Sequence, residues 1–165
     1  MAKTKAEKSK LIIKHTILAS LLVVIATLLV GVLLPGHRPA KADDVIVYKS
    51  PTCGCCNEWV DHLRENGFKV AVYDQRNMDP IKRHKGVPRR LQSCHTAQVG
   101  EYIIEGHVPA DDIARLLRER PSFKGLTVPG MPMGSPGMEG PRNDPYEVLT
   151  FQPDGKTSVF ARHNQ

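Results

Sequence analysis

The chain has 165 residues and carries 23 Lys and Arg against 17 Asp and Glu, a net charge of +6 at neutral pH. That length allows one domain plus an appendage. Seven of the basic residues but only one acid, Glu7, precede Asp43, so residues 43–165 are neutral and carry no nucleic-acid-binding footprint.

The appendage comes first. Lys3, Lys5, Lys8, Lys10 and Lys14 lead into Thr16–Leu34, a run of 19 residues without a charge. As a helix, such a run can cross the roughly 30 Å hydrocarbon layer of a membrane. The lysines ahead of it keep that side cytoplasmic. The run is longer than the core of an ordinary signal peptide and reads as an anchor, whereas Ala40-Lys41-Ala42 is an A-x-A cleavage pattern. Both readings place the rest of the chain outside the cytoplasmic membrane. Residues 1–42 are therefore expected to be a signal peptide or membrane anchor with its linker, and residues 43–165 the functional domain.

Val45–Lys49, β-branched and apolar, predicts a buried strand. Pro51 and Gly54 break it, and from Cys55 the spacing of Trp59, Val60 and Leu63 predicts a helix ended by Gly67. Phe68–Asp74 predicts a second strand, which makes a right-handed βαβ unit with a parallel pair. Asp79 and Pro80 start a short helix. Residues 86–99 read as a helical turn and a loop, and Glu101–Gly106 as a strand. The clearest helix follows Pro109, with Asp111 and Asp112 at its positive end and Ile113, Leu116 and Leu117 on one face, and Pro121 stops it. A loop rich in Gly, Pro and Met spans Val128–Pro141, and Tyr146–His163 reads as a hairpin turning at Pro153-Asp154-Gly155. The order is β-α-β, helical segment, β-α, hairpin.

Three of the four cysteines, Cys53, Cys55 and Cys56, sit at the first strand–helix junction. Cys53 and Cys56 form a C-x-x-C pair in the thioredoxin arrangement. A helix N-terminus stabilises thiolate, which is both a redox nucleophile and a metal ligand. Cys55 separates the two chemistries. A dithiol enzyme has no task for a third thiol, whereas a polynuclear site for a soft cation does, and sulfur ligands select Cu(I). Zinc would need Cys94 brought in from its distant loop to complete a tetrahedron. The bland alternatives are a core position for Cys55 or Cys94. His107, between a strand and a helix start, reads either as a ligand or as a cap of that helix. His62 and His84 read as solvated, and His15, His37 and His163 as outside the domain or near its end. Met131, Met133 and Met138 lie in a loop too rich in Gly and Pro for a core stripe; their thioethers suit Cu(I), and the alternative is a lid packed on the domain. Val128-Pro129 is a candidate for the proline, often cis, that faces the cysteines in thioredoxin-like folds.

The segments YKSPTCGCC, SCHTA, EGHVPADDI and GLTVPGMPMGSPGME, in this order, resemble the CopG-type periplasmic copper-resistance proteins, a family with a domain long labelled as of unknown function. The resemblance runs from Val45 to the C-terminus. It implies a thioredoxin-like α/β fold, a periplasmic location and copper held mainly by Cys53, Cys55, Cys56 and Cys94, with His107, Met131, Met133 and Met138 as additional ligands. The expected partners are copper ions, other envelope copper-handling proteins and, through the N-terminal helix, the membrane. The competing reading is a periplasmic thiol–disulfide oxidoreductase working through Cys53 and Cys56. If the protein is an enzyme, it is a thiol- or copper-dependent oxidoreductase.

Overall fold

The computed structural model describes residues 45–165. The expected N-terminal helix, the cleavage pattern at Ala40–Ala42, His15 and His37 lie outside the described residues. Among those described, no helix is long and apolar enough to cross a membrane.

The architecture is mixed α/β. Seven strands form one sheet in the order β2-β1-β3-β4-β5-β6-β7: β1 (Val45–Lys49), β2 (Val70–Asp74), β3 (Thr96–Val99), β4 (Tyr102–Glu105), β5 (Gly125–Thr127), β6 (Tyr146–Phe151) and β7 (Thr157–His163). The helices are α1 (Gly54–Glu65), α2 (Asp79–His84) and α3 (Ala110–Glu119), with a 3-10 turn at Arg89–Leu91. β1 and β2 pair in parallel across α1, as the βαβ reading expects, with Val45 opposite Val70. β3 joins β1 antiparallel, and β4 runs antiparallel to β3 but parallel to β5.

Two strands, β3 and β5, are absent from the sequence reading. Residues 96–99 were expected in a loop, and residues 125–127 carried no element. Strands of four and three residues are too short to show a period of two. They exist because each is paired on both sides, β3 by β1 and β4 and β5 by β4 and β6, and that pairing is invisible locally. The bond between Val128 and Pro129 is trans; among the described residues no peptide bond is cis.

The helices form where their apolar faces meet the sheet. Trp59, Val60 and Leu63 of α1 and Ile113 and Leu116 of α3 pack on Val45, Val47, Ala97, Val99 and Ile104. A smaller cluster of Val87, Leu91, Ile103 and Phe151 covers the other side of β4. α1 ends as its sequence predicts: Gly67 takes φ +85°, Gly67 N–H donates to Arg64 O, and Phe68 N–H donates to Leu63 O. The start of α1 differs from that of most helices. Cys53 is the N-cap residue, makes no side-chain cap hydrogen bond, and no acid follows in the first turn. The positive end of the helix is therefore left to the cysteine sulfurs.

Candidate metal centre

Four sulfurs converge at the first turn of α1. Those of Cys53, Cys55, Cys56 and Cys94 all lie within 4.8 Å of one another. Cys53 and Cys56 are joined as a disulfide, while Cys55 and Cys94 are free thiols. The Sγ atoms of Cys55 and Cys53 are 3.6 Å apart. Cys55 is only half-buried, so it is not a core residue. Cys94 arrives on the segment that leads into β3, 38 residues beyond Cys56, and it too faces the cluster instead of the core.

A second group shares Cys94: its Sγ, His95 and His107 also offer ligand atoms within 4.8 Å of one another. Cys94 Sγ is 3.0 Å from His107 Nε2 and 3.3 Å from His95 Nδ1. His107 Nδ1 is 2.7 Å from the carbonyl of Pro136. A carbonyl only accepts, so Nδ1 carries the proton and the Nε2 lone pair is turned toward Cys94. This is how a second contact orients an imidazole for ligation. His107 therefore does not cap α3. His62 does, since its Nε2 accepts from Ala110 N–H at 3.1 Å. His62 was expected to be solvated; it is half-buried because α3 starts beside α1 and its first amide needs an acceptor. His84 is exposed, as expected.

Electrostatically the side of the pocket formed by Cys94 and His95 disfavours charge. Burial pushes the Cys94 thiol up to about 11, and the neighbouring Cys55 adds to the effect. Without a cation, Cys94 is thus a protonated thiol facing a neutral imidazole, and an arriving cation displaces that proton. His95 is fully buried. Its ring lies 4.2 Å from Trp59 and 5.0 Å from His107, and its Nε2 has no partner. Burial, followed by His107 and Lys82, holds His95 well below its ordinary 6.5. His62 is also lowered by burial, against the opposing pull of Glu139, Glu65 and Asp111.

These shifts set an expected acid response. Both imidazoles have folded values below the ordinary 6.5, so the unfolded chain binds the extra protons. Their contribution is present in full above pH 6.5 and is lost as pH falls toward the folded values. Thermal melts of the metal-free protein from pH 7.5 to 5 are expected to show a falling midpoint below about 6.5, the ordinary histidine value. His62→Gln retains an acceptor for Ala110 and does not titrate, and it is expected to flatten that slope. An unchanged slope in His62→Gln would show that the cap plays no part.

The methionine loop meets the site through its backbone. Pro136 O accepts a hydrogen bond from His107 Nδ1–H, and Gly137 lies against the first turns of α1, where a Cβ would come within 2.6 Å of Cys55 O and 2.7 Å of Trp59 N. Met131 is 53 % exposed, and Met133 and Met138 are half-buried. The described contacts bring the four cysteines and His107 together; they place no methionine sulfur on a cysteine.

The sequence reading missed His95 as a pocket residue, Pro136 as the partner of His107, and a buried polar group beneath Cys94. In that group Glu105, fully buried, binds Lys82, Thr96 and the Ser93 amide. A faint signal for the last was an acid at the end of the apolar strand YIIE.

Fold and site together define a mixed α/β domain with a four-cysteine cluster at a helix N-terminus, flanked by oriented histidine. Two solved structures, "Copper resistance protein copG- Form 1" and "Form 2", are each 44% identical to this chain. The first has a TM-score of 0.71 and the alignment covers 76% of this chain and 100% of that one; the second has 0.70, with 74% and 99% covered. Residues 91–138 match the family described as "Protein of unknown function, DUF411". No curated protein matches the chain. The chain belongs to the CopG copper-resistance family, as the four sequence segments led one to expect.

Proposed function

We propose that this is an exported Cu(I)-binding protein of the bacterial envelope that limits copper toxicity. The observation that carries the reading is the convergence of four cysteine sulfurs within 4.8 Å of one another. The named role of the 44%-identical relatives supports copper as the cargo. Cys53, Cys55, Cys56 and Cys94 supply soft thiolates, and bridging sulfur lets more than one Cu(I) share the small volume. His107 supplies Nε2. The loop bearing Met131, Met133 and Met138 supplies thioethers for capture or hand-over, with Met131 outermost. Within this reading the β2-β1-β3-β4 part of the sheet, with α1 between β1 and β2 and α3 after β4, is a thioredoxin-like core extended by β5–β7. Residues 1–42 export or anchor the domain of residues 43–165, placing it in the periplasm near other envelope copper-handling proteins.

Loading on four thiolates requires the Cys53–Cys56 bond to open. That takes two electrons and two protons, which an external dithiol supplies while closing its own disulfide. The disulfide also favours a second reading, a thiol–disulfide oxidoreductase in which Cys53 and Cys56 exchange with substrate dithiols.

Cys55 separates the two. Protein purified anaerobically with Cu(I) is analysed for copper per chain and for free thiols. Cys55→Ser is expected to cut copper per chain and copper tolerance in cells while the Cys53–Cys56 disulfide still forms. Unchanged copper, together with disulfide exchange on substrates, would move the assignment to the oxidoreductase.

A further inference from the structure

The buried polar group under Cys94 is larger than a fastening of α2 to the sheet would need. Glu105 is 0 % exposed and Lys82 only 4 %. Glu105 Oε1 accepts from Lys82 Nζ at 2.5 Å and from Ser93 N–H at 2.7 Å, and Oε2 accepts from the Thr96 hydroxyl at 2.6 Å. Lys82 Nζ also donates to Thr96 Oγ1 at 3.1 Å. A buried ion pair contributes little net stability compared with apolar residues of the same volume. What this one does, and apolar residues could not, is accept the backbone amide immediately before Cys94.

Other contacts stack at the same point. Ser93 Oγ donates to Gly130 O at 2.6 Å. Gly106, at φ +73°, lies so close that a Cβ would come within 2.6 Å of Ser93 Oγ and 2.7 Å of Val128 O. Gly106 N–H donates to His95 O at 3.1 Å. The segments carrying Cys94, His107 and the start of the methionine loop are thus layered on Glu105 and the residue after it.

We propose that Glu105, held by Lys82, is the positioning residue for Cys94: its carboxylate grips the Ser93 amide and so sets where the Cys94 sulfur stands over the first turn of α1. The inference rests on Cys94 being a copper ligand. Glu105 touches no copper; it acts through the chain segment that presents the thiol.

The test is a double-mutant cycle on the full-length reduced protein, with Cu(I) as the probe and affinity read by competition with a colorimetric Cu(I) chelator. Two paired variants remove both charges. Lys82→Met with Glu105→Leu leaves Ser93 N–H without an acceptor, whereas Lys82→Met with Glu105→Gln keeps a side-chain oxygen for it. The leucine pair is expected to weaken Cu(I) binding roughly 10–100-fold, the range for loss of an outer contact to a ligand. The glutamine pair is expected to stay within about twofold of the unaltered protein, the usual scatter of independent effects. Cys94→Ser, costly in the unaltered chain, is expected to cost much less in the leucine background, because the thiol it removes is already misplaced.

Equal fold-losses from Cys94→Ser in both backgrounds would overturn the inference and leave the pair a fastening of α2. No loss from Cys94→Ser in the unaltered chain would overturn the ligand reading itself and the inference with it. Should the leucine pair fail to fold, Ser93→Pro deletes the same donor with the ion pair intact, and Ser93→Ala, which loses only the hydroxyl on Gly130 O, is its control. Gln92, at ψ 141°, already has the extended backbone that a residue before proline needs. Ser93→Pro is expected to reproduce the leucine pair's loss, and undiminished Cu(I) binding in it would overturn the inference.

Discussion

Replacing Cys53 or Cys56 with serine is expected to abolish tight Cu(I) binding. A serine hydroxyl is hard, neutral at any accessible pH, and a poor ligand for a soft monovalent cation. The position makes the loss severe. Both residues sit where α1 presents unsatisfied amides with no competing side-chain cap, so thiolate charge there is favoured and nearby residues cannot replace it. Cys94, pushed up to about 11 by burial, is a poor substitute, because the cation must displace its proton unaided. Copper per chain after gel filtration with excess Cu(I) measures the effect. Retained stoichiometry in both variants would reject the cluster as the binding site. Each single variant also frees the partner cysteine, so a thiol count verifies that the disulfide has gone.

The second large effect is expected at Gly137. Its φ of +78° is a conformation that costs an L-residue about 1–2 kcal/mol. A Cβ there would also press on the α1 backbone at Cys55 O and Trp59 N, at 2.6 and 2.7 Å. Neither neighbour is the tip of a flexible side chain, so overpacking adds about 1–3 kcal/mol. If the loop stays in place, Gly137→Ala is expected to lower the melting temperature on the order of 10 °C. If the loop lifts off, the strain is relieved, but Pro136 O leaves His107 Nδ1. The imidazole then loses its orientation, and metal affinity falls by about 10–100-fold. Melting temperature and Cu(I) affinity measured on one sample decide which route the chain takes. No change in either would mean that this loop does not bear on the site.

The strand–turn–helix carrying Cys53, Cys55 and Cys56 was legible because its determinants are local. Val45–Lys49 is short, apolar and β-branched; Trp59, Val60 and Leu63 recur at helical spacing; Gly67 supplies the left-handed cap; and the turn at Pro153–Gly155 closes a hairpin between adjacent strands. The motif order was specific enough to indicate the family before any geometry was known. The rest depended on contacts between residues far apart in the chain. β3 and β5 exist only by pairing with strands on both sides, so no local periodicity could reveal them. Whether Cys94 faces the core or the cluster depends on where β3 begins, and a strand of four residues leaves no period in the sequence. Sequence left His107 open between ligand and helix cap and His62 solvated; the start of α3 falls next to α1, so His62 takes the first amide and His107 is left for Cys94. The Lys82–Glu105 pair joins a helix to a strand 23 residues away, and nothing in either segment alone calls for the other. Sequence determined which soft sulfur donors the chain owns and the turn that gathers three of them. Tertiary structure decided where the fourth sulfur stands, the orientation of the histidine and the buried charge beneath them, because distance and direction between remote side chains arise only when the sheet closes.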